Sequence, residues 1–209
     1  MGGDALNHTA HLAFGPLVLM WELMMIAMMA PTAARWIAVF STLNTGNRAS
    51  RVRSAGAFAG GYVTVWLPYS IAAAGVQIAL QRSAWLASNG ALAGPLAGIV
   101  LIGAGGFQFA TLKRTCLAHC RNPLTYFLSR WRNGPPSGFR LGLAHGAYCV
   151  GCCWALMATV FAVGVMNVVW MAALTLIGCL EQLVPHGDKL SAVIGVGLMV
   201  WGAALLIVR

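Results

Sequence analysis

Long apolar stretches separated by short polar ones set the pattern of this chain. Residues are apolar almost throughout from about Leu12 to Phe40, Ala55 to Leu80 and Ala91 to Leu112, and again from Leu190 to Val208. The remaining apolar stretch, Phe139 to Val184, is too long for one crossing of a hydrocarbon core about 30 Å thick at about 1.5 Å per residue. It therefore predicts two helices with a turn near Gly164 to Asn167. The expected architecture is all-α: a polytopic transmembrane helix bundle of six spans, forming a single transmembrane domain over residues 1–209.

Composition sharpens this picture. Hydrophobic residues make up 59% of the 209 positions and charged ones 8%, with a mean hydropathy of +0.77, whereas a soluble domain is about one-quarter charged. The partners this implies are membrane lipids. A net charge of +9 is not a nucleic-acid footprint, because the cations gather in short loops between apolar segments.

With six spans, Arg35, Arg48, Arg51, Arg53, Lys113, Arg114, Arg121, Arg130, Arg132, Arg140 and Lys189 fall on one side, against Arg82 and Arg209 on the other. The positive-inside rule then predicts both termini outside the cytoplasm. No Lys or Arg precedes Arg35, so the first apolar segment is expected to be a span and not a cleaved leader. The six cysteines lie in apolar segments or beside cytoplasmic-type cations, which predicts thiols or metal ligands in preference to disulfides.

Chemistry concentrates in two stretches. In the fourth predicted span His145, Cys149, Cys152, Cys153 and Met157 follow at three- and four-residue spacings, so on a helix imidazole, thiols and thioether share one flank. Cys152 and Cys153 project about 100° apart, and one of the two is expected to face the set with Cys149. The first span carries Met20, Met24, Met25, Met28 and Met29 within ten residues, together with Glu22. Glu22, Met25 and Met29 line one helix face, and an ionisable group inside a span marks a pathway, a relay or a ligand set.

Counting depth from the span ends places Glu22 and Cys149 each about 15 Å into the membrane, with Met25 within a turn of that level and Met171 approaching from the fifth span. This predicts a midplane site of Glu22, Met25, Met29, His145, Cys149, Cys152, Cys153, Met157 and Met171. Sulfur and imidazole suit Cu(I) first and zinc second; magnesium and calcium prefer oxygen. The plain alternatives are methionine as an adaptable gap filler, cysteine as a small hydrophobe and His145 bonded to a carbonyl.

A second pair, Cys116 and Cys120, flanks His119 after the third span. One helical turn directs both thiols the same way, predicting a secondary rim site about 15 Å below the midplane. His8 and His11 would mark the outer rim. The small-residue spacing of Gly56 and Gly60 predicts a close helix approach.

Trp21-Glu22-Leu-Met24-Met25-Ile-Ala-Met28-Met29-Ala-Pro31, Lys113-Arg-Thr-Cys116-Leu-Ala-His119-Cys120-Arg121-Asn-Pro123 and His145-Gly-Ala-Tyr-Cys149-Val-Gly-Cys152-Cys153-Trp154, with Met166-Asn167 and Trp170-Met171, together resemble the bacterial family called predicted metal-binding integral membrane proteins. The resemblance covers almost the whole chain. It implies a bacterial inner-membrane protein that handles metal, copper first, and a non-enzymatic role. Some members of that family have been proposed as membrane copper chaperones for tyrosinase-type oxidases, which implies a copper-dependent oxidase or a metallochaperone as partner. The family supplies no catalytic residues to carry over.

Three functions follow. The first is a Cu(I) carrier that delivers its ion to a copper enzyme or across the membrane, favoured by the excess of Met beside Cys. The second is a membrane thiol-disulfide oxidoreductase working between Cys149, Cys152 and the pair Cys116 and Cys120, which needs a reversible disulfide. The third is a structural or assembly subunit in which the sulfur residues only pack.

Overall fold

The computed structural model describes residues 3–43, 46–87, 90–130, 135–184 and 187–207, with side chains for 14–43, 46–87, 90–127, 136–184 and 187–207. Asn44, Arg132 and Arg209 lie outside the described residues, as do the side chains of His8, His11 and Arg130.

Nine helices follow one another along the described chain: α1 (Gly3–Leu43), α2 (Arg48–Arg82), α3 (Gly94–Phe107), α4 (Thr111–Arg121), α5 (Pro123–Arg130), α6 (Pro135–Ala158), α7 (Val160–Val163), α8 (Val168–Leu183) and α9 (Gly187–Ile207). The fold is all-α; the described residues hold only an isolated antiparallel bridge between Leu86 and Leu92. The stretches Phe14–Leu43, Arg48–Arg82, Pro136–Val163 and Gly187–Ile207 are long and apolar enough to cross a membrane. The pair α3 and α4, bent by 63°, makes a fifth crossing if it counts as one span. Helix α8, with 16 residues, is about 24 Å long.

Local signals explain the boundaries. Asn47 caps α2 by accepting from the Ser50 amide at 2.9 Å, and Asn167 caps α8 by accepting from the Trp170 amide at 3.0 Å, each satisfying an orphan N–H of a first turn. The turn between α7 and α8 spans Gly164 to Asn167, where the sequence predicts it, and Gly164 takes φ 117°, which glycine adopts without steric cost. The third predicted span differs. It breaks at Gln108–Ala110, and α4 carries the chain past Leu112 to Arg121, so Lys113, Cys116 and Cys120 stand on a helix inside the bundle and not on a loop.

Helix faces without side chains bring the backbones together. A Cβ at Gly98 would meet the Gly202 carbonyl at 2.8 Å, and one at Gly105 the Gly195 carbonyl at 2.6 Å, so α3 and α9 cross at two glycine pairs. In α2 the close approach falls at Gly61, against Phe139 and Leu143 of α6. Gly56 and Gly60 have open space around them, so the predicted pair is off by a rotation of the helix. Small residues permit such packing because helices without intervening side chains can approach backbone to backbone. Leu19, Leu23, Val193 and Val200 point outward, exposed.

Two buried clusters fill the interior. One is mostly aromatic: Trp36, Phe40, Phe58, Tyr126 and Phe127, with Leu141. The other joins the methionines of α1 to the cysteines of α4 and α6.

Candidate metal centre

The centre is built on α6, where the four-residue spacing of Cys149 and Cys153 turns both thiols toward α1. Each Sγ lies 3.9 Å from the thioether Sδ of Met29. All three side chains are buried, at 0%, 2% and 0% exposure respectively for Cys149, Cys153 and Met29. Tyr62 of α2 closes the set with its hydroxyl 3.2 Å from the Cys149 thiol. The thiols of Cys152 and Cys153 also reach back to the Cys149 carbonyl, at 3.2 and 2.8 Å, which holds their rotamers.

The pair Cys116 and Cys120 joins this cluster, correcting the separation of about 15 Å expected from counting depth. Cys116, Cys120, Cys149, Cys152 and Cys153 are all buried in one cluster. Cys116 packs on Gly151 so closely that a Cβ there would meet its Sγ at 2.8 Å. The reason is the bend after α3, which turns α4 inward against α6 and replaces a surface loop. All six cysteines are free. Among the described residues no three His, Cys, Asp or Glu side chains are arranged to hold a metal ion. The thiols contact the Met29 thioether and a backbone carbonyl instead, and a bound ion would take the place of their protons.

Other predicted ligands are placed elsewhere. Glu22 is buried, and its Oε2 accepts from Ser70 Oγ of α2 at 2.7 Å. It stands seven residues before Met29 on α1, about 10 Å along the axis, so the expected match in depth between Glu22 and Cys149 fails. Its Oε1 has no hydrogen-bond partner among the described residues. Met25 and Met157 are wholly buried in the same core with no thiol hydrogen-bonded to their sulfurs among the described residues, and Met171, half-buried, packs at its edge. The α8 residue facing Met29 is Gly178, whose Cβ would meet Met29 Cε at 3.6 Å.

His145 stacks on Trp36 with ring centroids 3.8 Å apart, and the Trp36 indole N–H donates to the Cys120 carbonyl at 3.1 Å. His145 Nε2 is buried with no partner among the described residues. His119 stacks on Tyr148 at 4.0 Å, away from the thiols.

The sequence reading missed a buried ion pair beside this cluster. Lys113 Nζ lies 2.7 Å from Glu181 Oε2, with side-chain exposures of 1% and 4%, and Ser191 Oγ donates to Glu181 Oε1 at 2.9 Å. Lys113, counted among the loop cations, thus belongs to the interior. A signal was present: two ionisable residues of opposite sign in apolar segments are expected to partner each other. Tyr62 carries no such signal, since an aromatic residue on a buried face is ordinary packing.

The arrangement defines a bundle of apolar helices with a dry, sulfur-rich interior suited to a soft metal. The chain belongs to the PpoB2 copper chaperone family, whose profile matches residues 18–205; this is a copper-handling role, not an enzymatic one. No curated protein and no solved structure matches the chain.

Proposed function

We propose that this protein is a copper chaperone embedded in the bacterial inner membrane as a single six-span domain. It holds Cu(I) on the sulfur cluster of α1, α4 and α6 and hands it to a copper-dependent oxidase or a metallochaperone. The sixth span in this reading is α8, short enough to need local thinning or polar ends at the interface, and both termini lie outside the cytoplasm. The ligands are Met29, Cys149 and Cys153, with Cys152, Cys116 and Cys120 in the same buried cluster and not in a separate rim site.

One observation carries the reading: the Met29 thioether sits 3.9 Å from both the Cys149 and the Cys153 thiols. Thiolate with thioether is a donor set for Cu(I), while structural zinc takes four ligands from Cys, His or carboxylate and gains nothing from methionine. Copper is cargo here, so a buried site of sulfur donors that a partner's thiols can replace fits the task of holding and releasing it. Glu22, Met25, His145, Met157 and Met171 support the site from further away, lining the core through which the ion moves.

The test is metal analysis of the full-length protein purified in detergent under reducing conditions, with X-ray absorption at the metal edge. Copper in a shell of sulfur is expected. Zinc as the tightly bound ion, or no retention of either metal, would overturn the reading.

A further inference from the structure

A cavity of about 390 Å³ that no cysteine or methionine lines lies between α1 and the ends of α4 and α8, walled by Arg35, Arg121, Asn122, Gln182, Leu183 and Val184. Its polar groups are donors with capacity to spare. Arg35 is exposed and has no ion pair among the described residues. Arg121 donates through Nη2 to the Val184 carbonyl, and its Nη1 lies 3.6 Å from Asp188 Oδ2, contacts that leave at least three of the five guanidinium donors. Asn122 Nδ2 donates to the Ala118 carbonyl at 3.1 Å and keeps its second N–H. Gln182 is only 4% exposed, yet its side chain has no hydrogen bond among the described residues, a costly state for a buried amide unless a ligand fills it.

Two guanidiniums against the one carboxylate of Asp188 leave a single positive charge at the cavity. Along α8 the surface then turns apolar. Leu183, Leu180 and Leu176 follow at three- and four-residue spacing and are 52%, 38% and 60% exposed, so they form one bare row leading away from the cavity. A singly charged recess at the head of a leucine row fits a ligand that is anionic at one end and hydrocarbon at the other.

We propose that this cavity binds the phosphodiester headgroup of an anionic phospholipid, with an acyl chain along Leu183, Leu180 and Leu176. The proposal rests on the membrane placement given above and not on copper. Arg35 and Arg121 engage the phosphate oxygens, for which the guanidinium fork is shaped, and the Gln182 and Asn122 amides donate to those left over. The cavity lies at the cation-rich end of the bundle, the end that faces the anionic cytoplasmic leaflet in this topology. A zwitterionic lipid carries the same phosphate, but its own cation meets the uncompensated charge of the site. Free phosphate satisfies the donors and gains nothing from the leucines.

Alkaline carbonate washing of membranes that hold the full-length protein tests the placement first: retention in the pellet supports it, and release overturns the placement and the inference together. Native mass spectrometry of the protein in detergent, supplied with dioleoylphosphatidylglycerol, dioleoylphosphatidylcholine or inorganic phosphate, then tests the site. One phosphatidylglycerol per chain should be retained, about fivefold in preference to phosphatidylcholine and undisturbed by millimolar phosphate. Arg35→Gln should cut that retention about fivefold, the loss expected of one basic residue at an anionic headgroup, while Arg51→Gln, an exposed cation of α2 at the same end of the bundle, should leave it within about twofold. Equal retention of the two lipids by the unaltered protein overturns the inference and needs no variant to have folded. Equal losses in the two variants reduce the effect to general surface charge and also overturn it. Displacement of phosphatidylglycerol by inorganic phosphate makes this a soluble-anion site, which overturns the lipid as occupant.

Discussion

Lys113 Nζ and Glu181 Oε2 stand 2.7 Å apart in the interior of the bundle, tying α4 to α8 beside the thiols. With Ser191 donating to the other carboxylate oxygen, the pair is hydrogen-bonded on both sides. Lone charges are costly in such surroundings. Lys113→Met or Glu181→Gln should each destabilise the protein by about 3–5 kcal/mol, because each leaves one partner uncompensated, while Lys113→Met combined with Glu181→Leu should recover most of the loss. Unfolding in detergent, read as a double-mutant cycle, measures this. Additive losses would show that the two residues do not depend on each other.

Met29→Leu keeps volume and should cost less than about 1.5 kcal/mol in stability, yet it removes the thioether from the Cys149 and Cys153 thiols. Cu(I) affinity should fall about tenfold, equivalent to about 1.4 kcal/mol. Met157→Leu and Met171→Leu should leave it within twofold, since neither sulfur meets a thiol. Competition with a Cu(I) chelator separates the three variants, and equal effects in all of them would dissolve the distinction.

Binding to thiols displaces protons, so copper affinity should weaken as pH falls. Glu22 lies about 10 Å from Met29 along α1 and is bonded to Ser70, which takes it out of direct contact with the ion. Glu22→Gln should therefore show the same slope of affinity against pH as the parent chain. A shallower slope in the variant would return Glu22 to the metal site as a source of released protons.

Topology follows from the charge asymmetry, which survives the correction at Lys113: ten of the eleven cations on the loop side remain against two on the terminal side. A reporter fused to the C-terminus should be active only when its activity requires export. Activity confined to a cytoplasm-dependent reporter would place α8 on one side of the membrane, as a helix that does not cross.

The sequence by itself determined the helical class, the apolar segments and the turn at Gly164 to Asn167, because these depend on local hydropathy and on residues with special backbone or capping behaviour. It also picked out Met29, Cys149, Cys152 and Cys153 as chemistry, since sulfur at helical spacing is visible in one dimension.

What only the tertiary structure decided is which of these residues meet. Counting depth from span ends assumes straight helices with known starts; α1 runs on to Leu43, and α3 and α4 bend by 63°. On α1 it is Met29 whose sulfur meets the Cys149 thiol. The bend brings Cys116 and Cys120 from an expected helical turn at the rim into contact with α6 and carries Lys113 to Glu181. Spacing along one helix fixes a face, but the meeting of two faces depends on where bare glycine backbone allows close approach, as at Gly61 against Phe139 and Gly151 against Cys116. That is a property of packed surfaces, and no single segment contains it.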